Sequence, residues 1–128
     1  MYHIVCPTKY RRVVLSDAVD AKLKEVCAQI SERYEVEFLE IGTDEDHVHF
    51  LVQSVPTMSP QEIVQRIKSI TAREIFKACP EVKKKLWGGQ FWSNGYFVTT
   101  VGQHGNENTI QHYILKQRSK VEEQLDLF

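Results

Sequence analysis

The chain has 128 residues and a mass of 14.9 kDa, which suits one domain and leaves no room for two separate hydrophobic cores. Its composition, 42% hydrophobic and 26% charged, is typical of a globular protein and excludes a chain dominated by disorder. The formal net charge of −1 argues against a histone-like, polybasic binder of nucleic acid.

The N-terminal part of the chain predicts a strand and a long helix. Residues 3–15 alternate loosely and favour a first strand, interrupted at Pro7 and followed by a basic cluster. Ser16 is a suitable N-cap, because its side chain can accept a hydrogen bond from the first helical turn. Apolar residues at three- and four-residue spacing continue to Tyr34, which predicts an amphipathic helix of about five turns.

The middle of the chain predicts a β-hairpin and a second helix. Residues 35–42 favour a strand that is buried on both sides or lies at the centre of a sheet. A turn of glycine and acidic residues leads to a second strand over 47–55. Ser59 followed by Pro60 is typical of a helix start, and we expect this helix to end near Cys79, before a proline.

The order of the predicted elements indicates an α+β fold. A short basic helical segment over 81–86 precedes an aromatic strand region over 90–101. The order β-α-β-β-α-β, followed by a C-terminal helix, is the ferredoxin-like split βαβ arrangement, an antiparallel sheet with two helices on one face. We predict a single domain with a core over 1–101, a flexible link over 102–108, a tyrosine-bearing helix over 109–121 and an acidic tail over 122–128.

The cysteines and the N-terminus indicate a cytoplasmic protein. Cys6, Cys27 and Cys79 are widely spaced, so we expect neither a disulfide framework nor a thiolate zinc site. The N-terminus lacks a basic segment followed by a long apolar one, so no signal peptide is predicted. The longest uncharged stretch, residues 86–106, contains five glycines, so no membrane span is expected.

His47 and His49 are the first candidates for chemistry. Alternate side chains of a strand share a face, so Val48 and Phe50 would point into the core and both histidines would project from the opposite, open face. Two imidazoles at such positions can ligate one divalent metal through neutral nitrogens. The alternative is a pair of polar side chains on a solvated sheet face. Asp46 should point to the other face from His47, so we assign it no role.

Tyr113 and Gln117 are the second candidates. They are four residues apart on the predicted last helix, so they share one helix face. The amide oxygen of a glutamine is a hard ligand suited to Mg²⁺ or Mn²⁺. A tyrosine hydroxyl can act as a nucleophile when a metal polarises the electrophile. The alternative is an exposed helix with an ordinary tyrosine and glutamine.

The near-neutral net charge conceals an uneven distribution. Residues 17–62 carry 3 basic and 11 acidic side chains, whereas residues 63–120 carry 10 basic and 3 acidic ones. Basic side chains on one surface can contact phosphates, and aromatic side chains can stack on unpaired bases. A solvated helix face is the alternative. The candidate DNA-binding residues are Lys9, Arg11, Arg12, Arg66, Arg73, Lys77, Lys83, Lys84, Lys85 and Trp92.

Together these motifs resemble the single-tyrosine HUH transposases of the smallest bacterial insertion sequences. The resemblance covers essentially the whole chain. Each motif alone is modest, but their order and spacing are highly specific. They are CP at residues 6–7, KYRR at 9–12, DHVHFLV at 46–52, LWGG at 86–89, FWSNGYFV at 91–98 and IQHYILKQ at 110–117.

The resemblance implies a complete reaction. His47, His49 and Gln117 would hold one Mg²⁺ or Mn²⁺, and Tyr113 would attack the scissile phosphate of single-stranded DNA. The products would be a 5′-phosphotyrosine link and a free 3′-OH, and the 3′-OH of a second strand would then reverse the link. No nucleotide cofactor would be needed, because the phosphotyrosine conserves the bond energy. The resemblance also implies a homodimer and recognition of subterminal DNA hairpins.

Two other readings stay open at this point. One keeps the chemistry and makes the protein a domesticated or rolling-circle-type HUH nickase. The chain lacks the additional domains usual in replication initiators, which favours the transposase. The other is a catalytically inactive, ferredoxin-like DNA-binding module, and the complete set of His47, His49, Tyr113 and Gln117 speaks against it. The target sequence, the general base and whether Tyr113 serves its own or its partner's site are not predicted.

Overall fold

The computed structural model describes residues 1–53, 56–86 and 89–101. Within this part of the chain, four strands form one antiparallel sheet in the spatial order β2-β3-β1-β4. This order and the alternation of strands and helices confirm the predicted ferredoxin-like α+β fold. The strands are β1 (Tyr2–Pro7), β2 (Glu37–Thr43), β3 (His47–Gln53) and β4 (Phe97–Thr100), and the helices are α1 (Asp17–Tyr34), α2 (Pro60–Ala78) and α3 (Pro80–Lys85).

The two long helices begin where the sequence predicts. The hydroxyl of Ser16 accepts a hydrogen bond from the backbone N–H of Val19, and the hydroxyl of Ser59 accepts one from that of Glu62. Each bond satisfies a backbone donor that has no partner inside its helix. α1 ends before Glu35, which adopts the left-handed conformation with φ of 57°. The helix limits therefore follow from local hydrogen bonding.

One face of the sheet is the main hydrophobic core. The central strands β1 and β3 supply alternate residues to it, and α1 and α2 pack their apolar stripes against the same face. Its strand residues include Ile4, Cys6, Val48, Phe50 and Val52, and its helix residues include Val19, Leu23, Cys27, Ile63, Ile67 and Ile75.

Two strands differ from the predicted ones, at the N-terminus and after α3. β1 ends at Pro7 and is followed by a 3-10 turn over Lys9–Arg11, so the predicted strand over 3–15 was too long. The aromatic region is a strand only over Phe97–Thr100. Adjacent Phe91 and Trp92 are both buried, which strand alternation does not allow on a one-sided face.

The chain before β4 is held by an isolated bridge between Thr8 and Trp92 and by Lys68 of α2, and not by a continuous ladder. The Lys68 ammonium group donates to the backbone oxygens of Ser93 and Gly95, at 2.8 and 3.2 Å. A side chain of α2 therefore satisfies carbonyl groups that a neighbouring strand would otherwise bond. Burial lowers the pKa of Lys68, and only a charged Cys6 thiolate would act in the opposite direction.

The prediction that residues 35–42 form a central or doubly buried strand was wrong. β2 lies at the edge of the sheet, and Leu39 is 36% exposed. A register shift between Phe38 and Glu40 places an extra residue in the strand. Such a bulge lets residues three apart face the same side, and both Phe38 and Ile41 pack against the core.

Candidate functional site

The two histidines of β3 lie on the sheet face opposite the helices. Val48 and Phe50 belong to the core on the helix side, so alternation directs His47 and His49 to the other side. This face is not open, as the sequence had suggested, because His47 is 2% exposed and His49 is 1% exposed. Both imidazoles are therefore almost completely removed from water, where polar atoms need partners.

A third side chain, Asp44, converges on the same point. Its Oδ2 lies 3.0 Å from Nε2 of His47 and 3.4 Å from Nε2 of His49. Asp44 lies in the turn between β2 and β3, and its backbone N–H donates to the carbonyl of His47 at 2.9 Å. Sequence reasoning missed Asp44, although an acid three residues before a His-x-His strand was a usable signal.

The donor atoms of Asp44, His47 and His49 fit a divalent metal ion. One atom from each residue can be chosen so that all lie within 4.8 Å of one another. Two ligands at right angles on a metal are about 3 Å apart when each bond is about 2.1 Å. Two imidazole nitrogens with one carboxylate oxygen form a donor set that first-row divalent metals accept. This group therefore has the spacing and the chemistry of a metal site.

Asp46 holds the outer nitrogen of His47. Its Oδ1 lies 2.9 Å from Nδ1 of His47, and its Oδ2 accepts a hydrogen bond from Nε of Arg11 at 2.9 Å. Burial alone would raise the pKa of Asp46, but the hydrogen bonds from His47 and Arg11 and the charge of Arg11 lower it below its usual value. The expectation that Asp46 points away was wrong, because β3 begins only at His47 and strand alternation does not reach Asp46.

His3 occupies the equivalent place beside His49. Nε2 of His3 lies 3.0 Å from Nδ1 of His49, and the two rings stack with centroids 5.2 Å apart and planes 9° apart. His3 is 3% exposed, and burial lowers its pKa, which favours the neutral ring. Sequence reasoning missed His3, although it alternates with Ile4 on a predicted strand and so belongs to the histidine side.

Tyr113 and Gln117, the predicted nucleophile and third metal ligand, lie outside the described residues. So do the predicted link over 102–108, the helix over 109–121 and the tail over 122–128. All three cysteines are free and buried. Burial raises the pKa of Cys6 to about 12, so this thiol stays protonated at neutral pH.

The predicted basic residues fall into two groups. Three form ion pairs: Arg11 with Asp46, and Arg73 and Lys77 with Glu74 at 3.5 and 3.8 Å. Two lie over aromatic rings: Arg66 over Tyr34 at 4.4 Å and Lys9 over Tyr10 at 5.1 Å. By contrast, Arg12 is exposed beside the 3-10 turn, and Lys83, Lys84 and Lys85 are exposed at the end of α3.

The 3-10 turn and the end of α3 both contribute basic side chains to one groove. A groove of about 930 Å³ has Arg11 and Arg12 on one side and Lys85 on the other. Residues far apart in the sequence therefore form one positively charged surface, which attracts phosphates. We call Arg12 and Lys85 of this groove, together with the neighbouring exposed Lys83 and Lys84 of α3, the basic rim.

Trp92 lies in the core and not on this surface. It is 5% exposed, its ring packs edge to face against Phe91 at 4.6 Å, and its Nε1 donates to the hydroxyl of Thr71 at 2.9 Å. This position does not suit a platform for base stacking. Tyr96 is 37% exposed and lines a groove of about 740 Å³ between α2 and residues 89–96, so it is the better placed aromatic side chain.

Comparison with known proteins gives the family. The family model described as "Transposase IS200 like" matches residues 1–117. The chain belongs to the IS200-like transposase family. It is 34% identical over 119 residues to the ISDra2 transposase TnpA of Deinococcus radiodurans, covering 93% of this chain and 84% of that protein. It is 31% identical over 128 residues to the IS200 transposase of Salmonella typhimurium, covering 98% of this chain and 83% of that protein.

Solved structures agree with the family. A crystal structure of a Deinococcus radiodurans transposase superposes with a TM-score of 0.73 at 35% identity, covering 91% of this chain and 88% of that one. A REP tyrosine transposase bound to a REP hairpin superposes with a TM-score of 0.58 at 11% identity, covering 88% and 60%, and shows likeness of fold alone. This IS200-like transposase is thus a DNA-processing enzyme. None of its described helices is long and apolar enough to span a bilayer.

Proposed function

We propose that this IS200-like transposase cleaves and rejoins single-stranded DNA at insertion-sequence ends through a 5′-phosphotyrosine intermediate, with help from a divalent metal. The observation that supports this most strongly is the convergence of half-buried Asp44 with the buried His47 and His49 in one cluster. Burying two imidazoles beside a carboxylate is costly unless they bind a ligand or one another. A metal site in an enzyme that processes DNA accounts for all three.

Asp44, His47 and His49 would hold Mg²⁺ or Mn²⁺, and Gln117 would supply a further oxygen ligand. The bound ion would stabilise the charge that develops on the phosphate oxygens during attack. Asp44 extends the ligand set expected from the sequence. Because imidazole suits first-row transition metals better than Mg²⁺, this set favours Mn²⁺ of the two.

Tyr113 would act as the nucleophile. Its phenol oxygen forms a bond to phosphorus while the bond from phosphorus to the 3′-oxygen breaks. The phenol gives up its proton, and the leaving 3′-oxygen takes up one. The result is a 5′-phosphotyrosine and a free 3′-OH. The 3′-OH of another strand then attacks the same phosphorus, which joins new ends and regenerates the tyrosine. A phenol has an unperturbed pKa of about 10, so it needs an activated phosphate at neutral pH.

The DNA partner would carry hairpins near the cleavage sites. The REP tyrosine transposase of the same fold is bound to a REP hairpin, and this chain has a basic rim of suitable charge. We propose that the rim contacts backbone phosphates, with Arg66, Arg73, Lys77 and Lys9 as secondary contacts, and that Tyr96 stacks on an unpaired base. We also propose a homodimer in which two tyrosines act on two DNA ends.

The test uses purified protein with hairpin-bearing single-stranded DNA taken from the flanks of its gene. With Mn²⁺ or Mg²⁺ we expect cleavage and a covalent protein–DNA adduct on a denaturing gel. Tyr113→Phe should bind the DNA equally well but form no adduct. An adduct that persists in this variant would remove Tyr113 as the nucleophile.

The products separate the alternatives. Rejoining of cleaved ends into new junctions supports a transposase, whereas nicking without exchange of ends favours a domesticated or rolling-circle-type nickase. Binding without cleavage of any hairpin substrate, with either metal, would favour an inactive DNA-binding module. Cleavage that continues in EDTA would remove the metal from the mechanism.

A further inference from the structure

We infer that His3 and Asp46 are positioning residues, which hold the two metal-binding histidines by their outer nitrogens and aim the inner nitrogens at one point. The inference rests on the metal site proposed above. It concerns residues that reach the site from outside the His-x-His strand, His3 from β1 and Asp46 from the turn before β3. Neither residue touches the proposed metal position directly, and each acts through a histidine.

On one side, hydrogen bonds from Arg11 to Asp46 and between Asp46 and His47 hold the His47 ring. Asp46 Oδ1 lies 2.9 Å from His47 Nδ1, and its other oxygen is bound by Arg11 at 2.9 Å. A carboxylate only accepts hydrogen bonds, so Nδ1 of His47 must carry the proton. In the neutral ring that a metal would require, Nε2 then offers the lone pair, and it is this atom that lies 3.0 Å from Asp44 Oδ2.

On the other side, a neutral ring holds His49. Nδ1 of His49 lies 3.0 Å from Nε2 of His3, so one of the two nitrogens donates and the other accepts. If His49 is to offer Nε2 to a metal beside Asp44, its Nδ1 carries the proton and donates to His3. His3 is then a neutral acceptor, and the near-parallel stacking of the rings, 9° apart, restricts rotation of His49.

The two hydrogen bonds together make the site preorganised. Without them each imidazole could rotate or place its proton on Nε2, and either change would remove a ligand atom. Partners of this kind are worth about 10- to 100-fold in metal affinity. They also explain why Arg11, which the sequence had suggested for DNA, is joined to Asp46.

The experiment measures Mn²⁺ binding by the full-length protein without DNA, from the electron paramagnetic resonance signal of free Mn²⁺. We compare the wild type with His3→Leu, which cannot accept a hydrogen bond, and with His3→Gln, whose side-chain oxygen can. Ile4→Val is the matched control, because it loses a buried methyl group from the helix side of the same strand. Asp46→Ala and Asp46→Asn form the corresponding pair for His47.

We expect about 10- to 100-fold weaker Mn²⁺ binding in His3→Leu, recovery toward the wild type in His3→Gln, and no change in Ile4→Val. Asp46→Ala should likewise weaken Mn²⁺ binding, and Asp46→Asn should recover part of the affinity. In nitrogen-15 spectra of the Mg²⁺-loaded wild type, His49 should show the proton on Nδ1. In His3→Leu that single form should be absent.

Three results would overturn the inference, and they differ from one another. In the first, the wild type binds Mn²⁺ through His47 and His49, and His3→Leu binds it equally well with an unchanged His49 spectrum. This result would remove the positioning role and leave the proposed metal site intact. If the folded wild type binds Mn²⁺ no better than His47→Ala, the metal site falls as well. A His3→Gln variant that folds but binds as weakly as His3→Leu would also contradict the acceptor role.

Discussion

Both faces of β3 are buried, but the helix face is apolar, whereas the other face carries His47 and His49 beside Leu51. On the helix face, Val48 and Phe50 are 0% exposed and touch apolar neighbours. On the histidine face, His47 and His49 are 2% and 1% exposed and touch Asp44, Asp46 and His3. Burial therefore does not distinguish the two faces. They differ in the atoms that each buried side chain touches.

The difference is consistent with a helix face that supplies stability and a histidine face that carries the proposed metal site. Removing apolar area from water stabilises the fold by roughly 25 cal/mol per Å². A buried polar atom without a partner costs about 1–3 kcal/mol, so the histidine face needs a connected set of hydrogen bonds to be tolerated at all. Apolar residues could be buried there without that cost, which supports the proposal that this set binds a metal.

The largest effect is expected from His49→Ala, on the histidine face. It should lower the rate of DNA cleavage by roughly a hundredfold or more, because a metal contributes several kcal/mol to the transition state. In the wild type, Mn²⁺ at a hundred times its Kd should add about 2.7 kcal/mol to the free energy of unfolding. Urea unfolding with and without Mn²⁺ should show that the variant lacks this stabilisation. A variant with normal cleavage would end the functional distinction between the faces.

The next effect is expected from Phe50→Ala, the neighbouring position on the helix face. It should lower the free energy of unfolding by about 3–5 kcal/mol, because a large core side chain is replaced by a cavity. Denaturant unfolding in EDTA measures this, and the folded fraction should still bind Mn²⁺ with nearly wild-type affinity. A fall in metal affinity comparable to that of His49→Ala would show that the two faces are not independent.

A smaller effect is expected from Thr71→Val, which tests a polar interaction within the helix face. The hydroxyl of Thr71 accepts the hydrogen bond from Trp92 Nε1, and valine preserves the shape. The buried indole N–H would lose this acceptor, so we expect the free energy of unfolding to fall by about 1–3 kcal/mol, with Mn²⁺ affinity unchanged. Ile67→Val is a suitable control for a core change that leaves this hydrogen bond intact. Equal stability of Thr71→Val and the wild type would contradict the hydrogen bond.

The smallest effect concerns DNA affinity and separates exposed from paired cations. Lys83→Gln with Lys84→Gln should lower the slope of log binding constant against log salt by about 0.7 for each phosphate that these lysines neutralise in the wild type. Arg73→Gln with Lys77→Gln should change it less, because both side chains lie beside Glu74. Salt titrations of binding to hairpin DNA measure both slopes. Equal changes in slope in the two double variants would show that the ion pairs with Glu74 do not weaken the contacts of Arg73 and Lys77 with DNA.

Local signals predicted most of the fold. The hydroxyls of Ser16 and Ser59 cap the helices as expected, since capping depends on residues within one turn. Failures arose where distant parts of the chain compete for the same backbone groups. The segment before β4 was predicted as a strand because it is rich in aromatic residues, but Lys68 of α2 binds its carbonyls.

The site was predicted in part. Alternation along β3 put His47 and His49 on one face, and the structure places them so. Asp44, Asp46 and His3 were missed as members of the cluster, because their positions depend on the geometry of the hairpin turn and on the pairing of β1 with β3. No spacing along the chain reports that His3 and His49, 46 residues apart, lie within hydrogen-bond distance.

The sequence by itself determined the order of elements, the helix starts and the pair of histidines, since these follow from periodicity and from interactions between near neighbours. Its motifs also led to the transposase family. Only the tertiary structure decided that the histidine face is buried and that Asp44 joins it. It alone also showed that Arg11 holds Asp46 and that Arg12 and Lys85 share a groove. These features arise from strand pairing and packing, which bring together residues that are far apart in the chain.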